Sequence, residues 1–418
     1  MKANKNNQEG SIKMGLNFSK ERGTGLPVMR TAVSSRRGLR YIPYSGDGQS
    51  TRHNLFPQDL ARYALESPTH GAAISQKQML AEGQGIDFDK LSDGARYFFE
   101  TCNDDFEGIN DINEKIAKDF VLYDGFAIKV VWANDGTIAQ IEHIPFEQVR
   151  CGEPDEFGKV NDFVISNNWN ESLPPRYEIS YSIKKFNPSI WESGADITDD
   201  GIFYTEDQAD NNEQLIYYWN KRPAASDGML FYPVPDYISG IDHILTEIQI
   251  GISNKALLEN GFGGKYMMIF PFIPTEEERK EIEVGIKANF QGADKNGEII
   301  NMYMADEKQL PKLEKMEPLD ADTYNNLELS VKQNIITAHS IPAILLEYNY
   351  GGGFNNRAEE MVVAYNQFQD KTIKAYQNKL SSVYRTILKY ADFPDEQVKI
   401  IPFNMGNVQS NDTSLTQN

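Results

Sequence analysis

The sequence predicts an α+β fold with more than one lobe, and three observations predict it. Apolar residues recur every three and four positions on both flanks of the chain, as amphipathic helices require. Between those flanks the apolar period falls to two, with turn residues separating short runs, as strands require. At 418 residues, 40% hydrophobic and 11% aromatic, the chain exceeds what one core usually serves and can fill two.

Residues 1–50 show no sustained period and are expected to form a flexible basic arm. Gln58 to Glu82 reads as a helix broken at Ser67-Pro68 and stopped by Gly83. Phe98, Phe99 and Phe106 fall in a shorter helical piece. Ile109 to Leu122 is a stronger helix, with Ile112, Ile116 and Phe120 on one face.

Phe126–Trp132 then reads as a strand, Asn134-Asp135-Gly136 as a turn, and Thr137–Ile144 as the returning strand. Further strands are expected at Phe163–Ser166, Tyr177–Tyr181 and Leu215–Trp219. Glu192 to Glu213 is acidic and poor in apolar residues, so it is expected to be a solvated excursion. After Pro233 and Pro235, Asp236 is placed to cap a long helix reaching Glu259. Its stripe is Ile238, Ile241, Leu245, Ile248 and Ile252, but Ile244 and Ile250 lie off it. A helix apolar on more than one side has more than one neighbour, within the chain or in an adjacent subunit.

Asn260–Lys265 ends that helix, and Tyr266–Phe270 reads as a buried strand. Thr275 and Glu278 have the spacing of a capping box. Ile299–Met304 is the next strand, and Val398–Phe403 a last β-like piece.

Asp320 to Tyr390 is the most informative stretch. Tyr324, Leu327, Val331, Ile335 and Ala338 share one helical face. Ile341-Pro342 ends that helix, because proline lacks a donor and pushes its predecessor out of the helical region. A loop rich in glycine, amide and aromatic residues follows. Met361, Tyr365, Phe368, Tyr376, Leu380, Val383 and Ile387 then mark a second long helix. Two helices so joined present a loop.

Net charge is -20. It is uneven: residues 1–62 hold eleven basic and four acidic side chains, so the rest is strongly acidic. The basic head is either a solvated arm or an arm that touches nucleic acid or an acidic neighbouring subunit. Elsewhere the mean field repels nucleic acid and anionic membranes. Cys102 and Cys151 are too few for a disulfide framework and are expected to be free thiols. No signal peptide is expected after Met1, and no apolar run approaches the ~18 residues of a membrane helix.

Motifs of chemistry are missing. His53, His70, His143, His243 and His339 have no partner at i+3 or i+4, so no metal site is expected. Asn260–Lys265 fails the spacing of a phosphate loop and follows a helix rather than a strand. No carboxylate spacing marks an acid–base dyad. A binding or structural role without cofactor is therefore expected over catalysis.

Four pieces of the chain resemble the portal proteins of tailed bacteriophages, the rings at one capsid vertex through which DNA is pumped. They are Gly71–Ile74 running to Gly83–Ile86, Leu122–Ala127, Leu258–Gly261, and Ile335–Asn356 with its Ile-Pro-x-x-Leu-Leu, glycine loop and asparagine. Phe231–Pro235 departs from the family's Tyr-Gly-x-Pro, and the short tail leaves little for a crown.

The resemblance implies a portal-like α+β architecture of wing, stem and clip. It divides the chain into an arm (1–50), a first wing part (51–144), a β-rich clip-containing region (145–235) and a stem helix (236–260). A second wing part (261–345), a tunnel loop (346–356), a long helix (357–394) and a tail (395–418) follow. The DNA-facing candidates are Leu346, Tyr348, Asn349, Tyr350, Gly351, Gly352, Gly353, Phe354, Asn355 and Asn356. Tyr348, Tyr350 and Phe354 can equally pack between subunits or under the loop. The implied partners are copies of the chain in a dodecameric ring, the terminase large subunit, the major capsid protein, a head–tail connector or adaptor, and passing double-stranded DNA. The implied location is the capsid vertex of a virion assembled in the host bacterial cytoplasm. A metal-dependent nucleic-acid-processing enzyme with dispersed carboxylates, or another minor capsid or adaptor protein, stays open from the residues alone.

Overall fold

One mixed sheet spans residues 125–219 in the computed structural model. The structure describes residues 34–36, 38–44, 53–133, 135–170, 175–189, 196–198, 201–203, 212–220, 231–259, 266–270, 273–290, 299–303, 312–315, 321–346 and 354–403. Most of the expected arm, the Asn260–Lys265 turn and the end of the tail lie outside them.

The chain enters through a small ribbon, β1 (Ser34–Arg36) and β2 (Leu39–Tyr41). Helices α1 (Phe56–Glu66) and α2 (Pro68–Glu82) follow, divided at Ser67-Pro68 as the sequence indicates. Ser67 accepts from the His70 amide at 3.3 Å and so caps α2. Gly83 ends α2 at φ +62°, where a Cβ would lie 2.3 Å from the Ile401 carbonyl oxygen. Helix α3 is Asp93–Glu100, so Phe106 stands outside it, at φ +62° and almost fully exposed. Asn103 breaks the helical path there. Its side chain accepts from the amides of Asp105 and Glu107 and turns the backbone. Helix α4 (Ile109–Tyr123) is the core helix, with Ile109, Ile112, Ile116 and Phe120 buried.

The sheet contains β3 (Gly125–Trp132), β4 (Ile138–Ile144), β5 (Val149–Cys151), β6 (Asp162–Ser166), β7 (Ser180–Lys185) and β10 (Glu213–Trp219). Their order is β4-β3-β10-β7-β6-β5, and only β10 and β7 run parallel. Since β10 returns to lie beside β3, the sheet crosses the expected wing–clip boundary at 145. Tyr177 ends a 3-10 turn (Pro175–Tyr177) instead of starting a strand. The expected acidic excursion contains a small hairpin, β8 (Asp196–Thr198) with β9 (Gly201–Phe203).

Arg150 of β5 is fully buried with no carboxylate partner among the described residues. All five of its N–H groups are used: Nε on Asn54 Oδ1 (2.9 Å), Nη1 on the carbonyls of Glu147 (3.0 Å) and Val149 (2.8 Å), Nη2 on the Asn54 carbonyl (2.5 Å) and Gln58 Oε1 (3.3 Å). Its guanidinium also lies 4.8 Å from the Trp169 ring and 5.2 Å from the Tyr44 ring. This one side chain ties the segment before α1 to the sheet.

Helix α5 is Ile241–Glu259, entered through a 3-10 turn at Ile238–Gly240. A second sheet holds β11 (Tyr266–Phe270) between parallel β12 (Ile299–Tyr303) and antiparallel β13 (Lys312–Lys315). Helix α6 (Glu276–Phe290) links β11 to β12, and its capping box forms: the Thr275 amide donates to Glu278 at 2.9 Å. Helix α7 is Ala321–Ala338. The second long helix is two, α8 (Phe354–Phe368) and α9 (Lys374–Tyr390), joined by a π-turn at Gln369–Ile373. Helix α9 packs Leu380, Tyr384, Ile387 and Leu388 into the core around α4 and β3.

Val398–Phe403 makes an edge pairing rather than a full strand. Gln84 and Ile401 bond in antiparallel register, with Gln84 N to Ile401 O at 2.7 Å and Ile401 N to Gly85 O at 2.9 Å.

Candidate functional site

The entry to the loop between α7 and α8 is defined by packing. Helix α7 ends at Ala338, and Ser340, at φ +54°, turns the chain away. Ile341-Pro342 then leads into a 3-10 turn, Ala343–Leu345. Leu345 is buried and Leu346 half-buried, both in a small cluster with Ala73 and Leu80 of α2 and Tyr365 and Phe368 of α8. The Tyr365 hydroxyl donates to the Phe403 carbonyl at 2.6 Å, which fastens the C-terminal segment to the same cluster. The entry to the loop therefore sits on an apolar base shared by α2 and the second half of α8.

Of the residues expected to face DNA, Leu346 belongs to that base. Phe354, Asn355 and Asn356 are the first residues of α8, so they begin a helix instead of continuing the loop. The helical pattern of Met361 and Tyr365 extends upstream over residues that tolerate a first turn, which shortens the loop to Glu347–Gly353. Tyr348, Asn349, Tyr350, Gly351, Gly352 and Gly353 lie outside the described residues.

Below this base lies a buried polar knot that the sequence reading missed. Glu247 of α5 closes the N-terminus of α2: Ser67 Oγ donates to its carboxylate, Thr69 Oγ1 donates at 2.6 Å and the Thr69 amide at 3.2 Å. A carboxylate there faces the positive end of the helix dipole. One turn on, His70 Nδ1 faces His339 Nε2 at 2.8 Å, and the Tyr237 ring lies 4.7 Å from the first imidazole and 4.8 Å from the second. Lys77, fully buried, donates to Asp236 at 2.7 Å, and Tyr376 of α9 donates to the same oxygen at 3.2 Å. Asp236 is thus not the cap of the long helix. Its carboxylate is instead taken by Lys77 and Tyr376, and the turn that enters the helix has no side-chain cap hydrogen bond.

The knot is closed electrostatically. Burial and the Lys77 charge push His70 down to about 3, and burial, Lys77 and His70 push His339 down to about 2. Both rings are neutral, and one donates its proton to the other's lone pair. The second nitrogen of each ring, His70 Nε2 and His339 Nδ1, is buried without a hydrogen-bond partner, and no cluster of three His, Cys, Asp or Glu side chains that could hold a metal occurs among the described residues. No signal marked this pair, because its members are 269 positions apart.

Other reactive types are similarly engaged. Burial pushes the Cys102 and Cys151 thiols up to about 12, so neither is a thiolate at neutral pH. His143 Nε2 meets Asp119 at 2.7 Å, and Asp119 also accepts from the Phe146 amide at 3.0 Å, a tie between α4 and the start of the following turn. No helix among the described residues is long and apolar enough to cross a membrane.

No family model matches the chain, and no curated protein matches it. Solved structures of gene transfer agent (GTA) particles are similar to it. A chain from the neck of an empty GTA particle computed with C6 symmetry has TM-score 0.49 and 12% identity, covering 84% of this chain and 85% of that one. A chain from the virion of the native particle has TM-score 0.49 and 12% identity, covering 84% of each. A chain from the native neck computed with C12 symmetry has TM-score 0.48 and 11% identity, covering 84% and 85%.

Proposed function

We propose that this chain is the subunit of a phage-type portal, a ring that passes double-stranded DNA through a capsid vertex and docks packaging and tail components. The role is structural, not catalytic. The observation that carries it is the α7–α8 connection. Glu347–Gly353 contains no lysine or arginine, three of its seven residues are glycine, and the turn that leads into it rests on an apolar base shared with α2 and α8. Such a loop touches a moving polyanion without gripping its phosphates, whereas a cationic loop would act as a brake.

The helix pair beside it supports assembly. Helices α5 and α7 pack together, with the Tyr324 hydroxyl donating to Asn254 at 2.6 Å. On the same two helices Ile252 is 55% exposed, Leu327 47% and Leu329 48%. Apolar side chains left on two paired helices are suited to a neighbouring copy in a closed ring. In this reading α5 is the stem helix, the clip lies within 145–235, and terminase, adaptor and major capsid protein meet the ring from outside.

Mass photometry or electron microscopy of the purified protein tests the ring directly; a monomer at every concentration and salt overturns the reading. Replacing Gly351, Gly352 and Gly353 by proline is expected to leave the ring intact and block DNA packaging. Packaging at the normal rate would remove the loop from the DNA path.

A further inference from the structure

In an acidic protein, α9 is an exception. Its seventeen residues hold Lys374, Lys379, Arg385 and Lys389 and no acidic residue, and Lys371 precedes it in the π-turn. Lys371, Lys374, Asn378, Ser382, Arg385 and Lys389 are all exposed and follow one another at spacings of three and four, so they form a single stripe. It is about 27 Å long, or roughly eight base-pair steps of duplex.

The stripe's charges are largely unspent. Lys374 reaches Asp370 only at 3.9 Å. Among the described residues, Lys371, Arg385 and Lys389 form no ion pair with a carboxylate. The opposite face of α9 is in the core, so the stripe is rigidly backed.

We propose that this stripe contacts the phosphate backbone of duplex DNA without reading its sequence. The composition favours nucleic acid over an acidic protein. Two cations at each end flank the small hydrogen-bonding residues Asn378 and Ser382, which is the chemistry of phosphate contacts. A protein interface would need a large apolar anchor, and none of the six stripe residues supplies one. The duplex is taken from the ring reading, to which the stripe adds a second DNA contact away from the loop. Four cations against a strongly negative remainder give a weak, salt-sensitive hold.

The test is fluorescence anisotropy of a 30-base-pair duplex with the full-length protein across a salt series, against the variant Lys371→Gln/Lys374→Gln/Arg385→Gln/Lys389→Gln. Four phosphate contacts predict a log–log salt slope near about −3.6 and so about 12-fold weaker binding on doubling the salt. The variant is expected to lose most of that slope while its far-ultraviolet spectrum and melting stay unchanged. A control, Lys118→Gln/Lys159→Gln, is expected to keep it. Unchanged binding by the quadruple variant overturns the proposal. So does poly-glutamate competing as well as DNA per unit charge, which would assign the stripe to an acidic protein. Mass photometry of the same samples separates the two ideas. A monomer that binds DNA through the stripe keeps this inference and sinks the ring; a ring whose variant binds normally does the reverse.

Discussion

Acid should destabilise this fold through the His70–His339 pair, and the size of the effect follows from the pair's burial. His70 is pushed down to about 3 and His339 to about 2, each from an ordinary value of 6.5. Above pH 6.5 both rings are neutral whether folded or unfolded, so neither biases the equilibrium. As pH falls through 6.5 the unfolded chain takes up two protons that the folded chain refuses, and stability is lost until about pH 3. Between pH 7.5 and pH 5 the loss is about 2 kcal/mol per histidine, about 4 kcal/mol for the pair. Glu147 acts in the opposite sense. Burial and then the Asp119 charge raise its carboxyl, so it binds a proton more readily when folded and offsets some of the loss. The difference between two proteins therefore isolates the pair. Urea unfolding is compared at pH 7.5 and pH 5 for the wild type and for His70→Leu/His339→Leu, which removes both partners together and leaves no orphaned nitrogen. The double variant is expected to lose about 4 kcal/mol less over that interval. If both proteins lose stability equally, the histidines are not buried and neutral, and the knot is misread.

Arg150→Lys is expected to destabilise by about 2–4 kcal/mol in urea unfolding, because an ammonium has three donors for five acceptors and no plane to lay against Trp169. The same change at exposed Arg62, paired with Asp59 at 2.7 Å, should cost under about 0.5 kcal/mol, and equal effects would contradict the five-bond account. Gly83→Ala combines a left-handed backbone with a Cβ 2.3 Å from the Ile401 carbonyl. It should cost about 2 kcal/mol and release the Ile401 amide to fast hydrogen exchange, and an amide that stays protected would refute the contact.

Local patterns were legible wherever one residue type decides the backbone. Ser67-Pro68, Gly83, the Thr275–Glu278 box and Ile341-Pro342 each stood where the sequence places them. Faces were less legible. The stripe expected on α5 runs to Ile252, yet Ile244, off the stripe, is fully buried and Ile252 is exposed. Spacing shows that a face exists, but tertiary neighbours decide which residues it includes. Asp236 was misassigned for a related reason: its partner Lys77 lies 159 positions away, and no local rule sees a distant buried cation. The histidine knot is invisible on the same grounds. At the loop, Tyr365 and Phe368 of the apolar base were readable as a helical stripe, whereas Ala73 and Leu80 of α2 were not, nor was the start of α8 at Phe354, because Asn355 and Asn356, which favour caps, stand in its first turn.

Helix α2 now appears as the element through which the parts of the molecule are joined. Its N-terminus is closed by Glu247 from α5, and its first turn carries His70 against His339 at the end of α7. Its middle holds Lys77 on Asp236, which Tyr376 of α9 shares. Its apolar side, Ala73 and Leu80, packs against Leu345 at the entry to the loop and Tyr365 and Phe368 of α8, and its last carbonyls receive Gln377 of α9 through Leu80 at 2.9 Å. Each of these contacts is polar and buried, or apolar and dry, so each loses energy sharply on small displacement. The loop and the basic stripe of α9 are therefore held in one frame: α2 fixes the base of the first and the root of the second. The polar ties of α2 thus join α5, α7 and α9 through buried groups whose partners lie far apart in the chain.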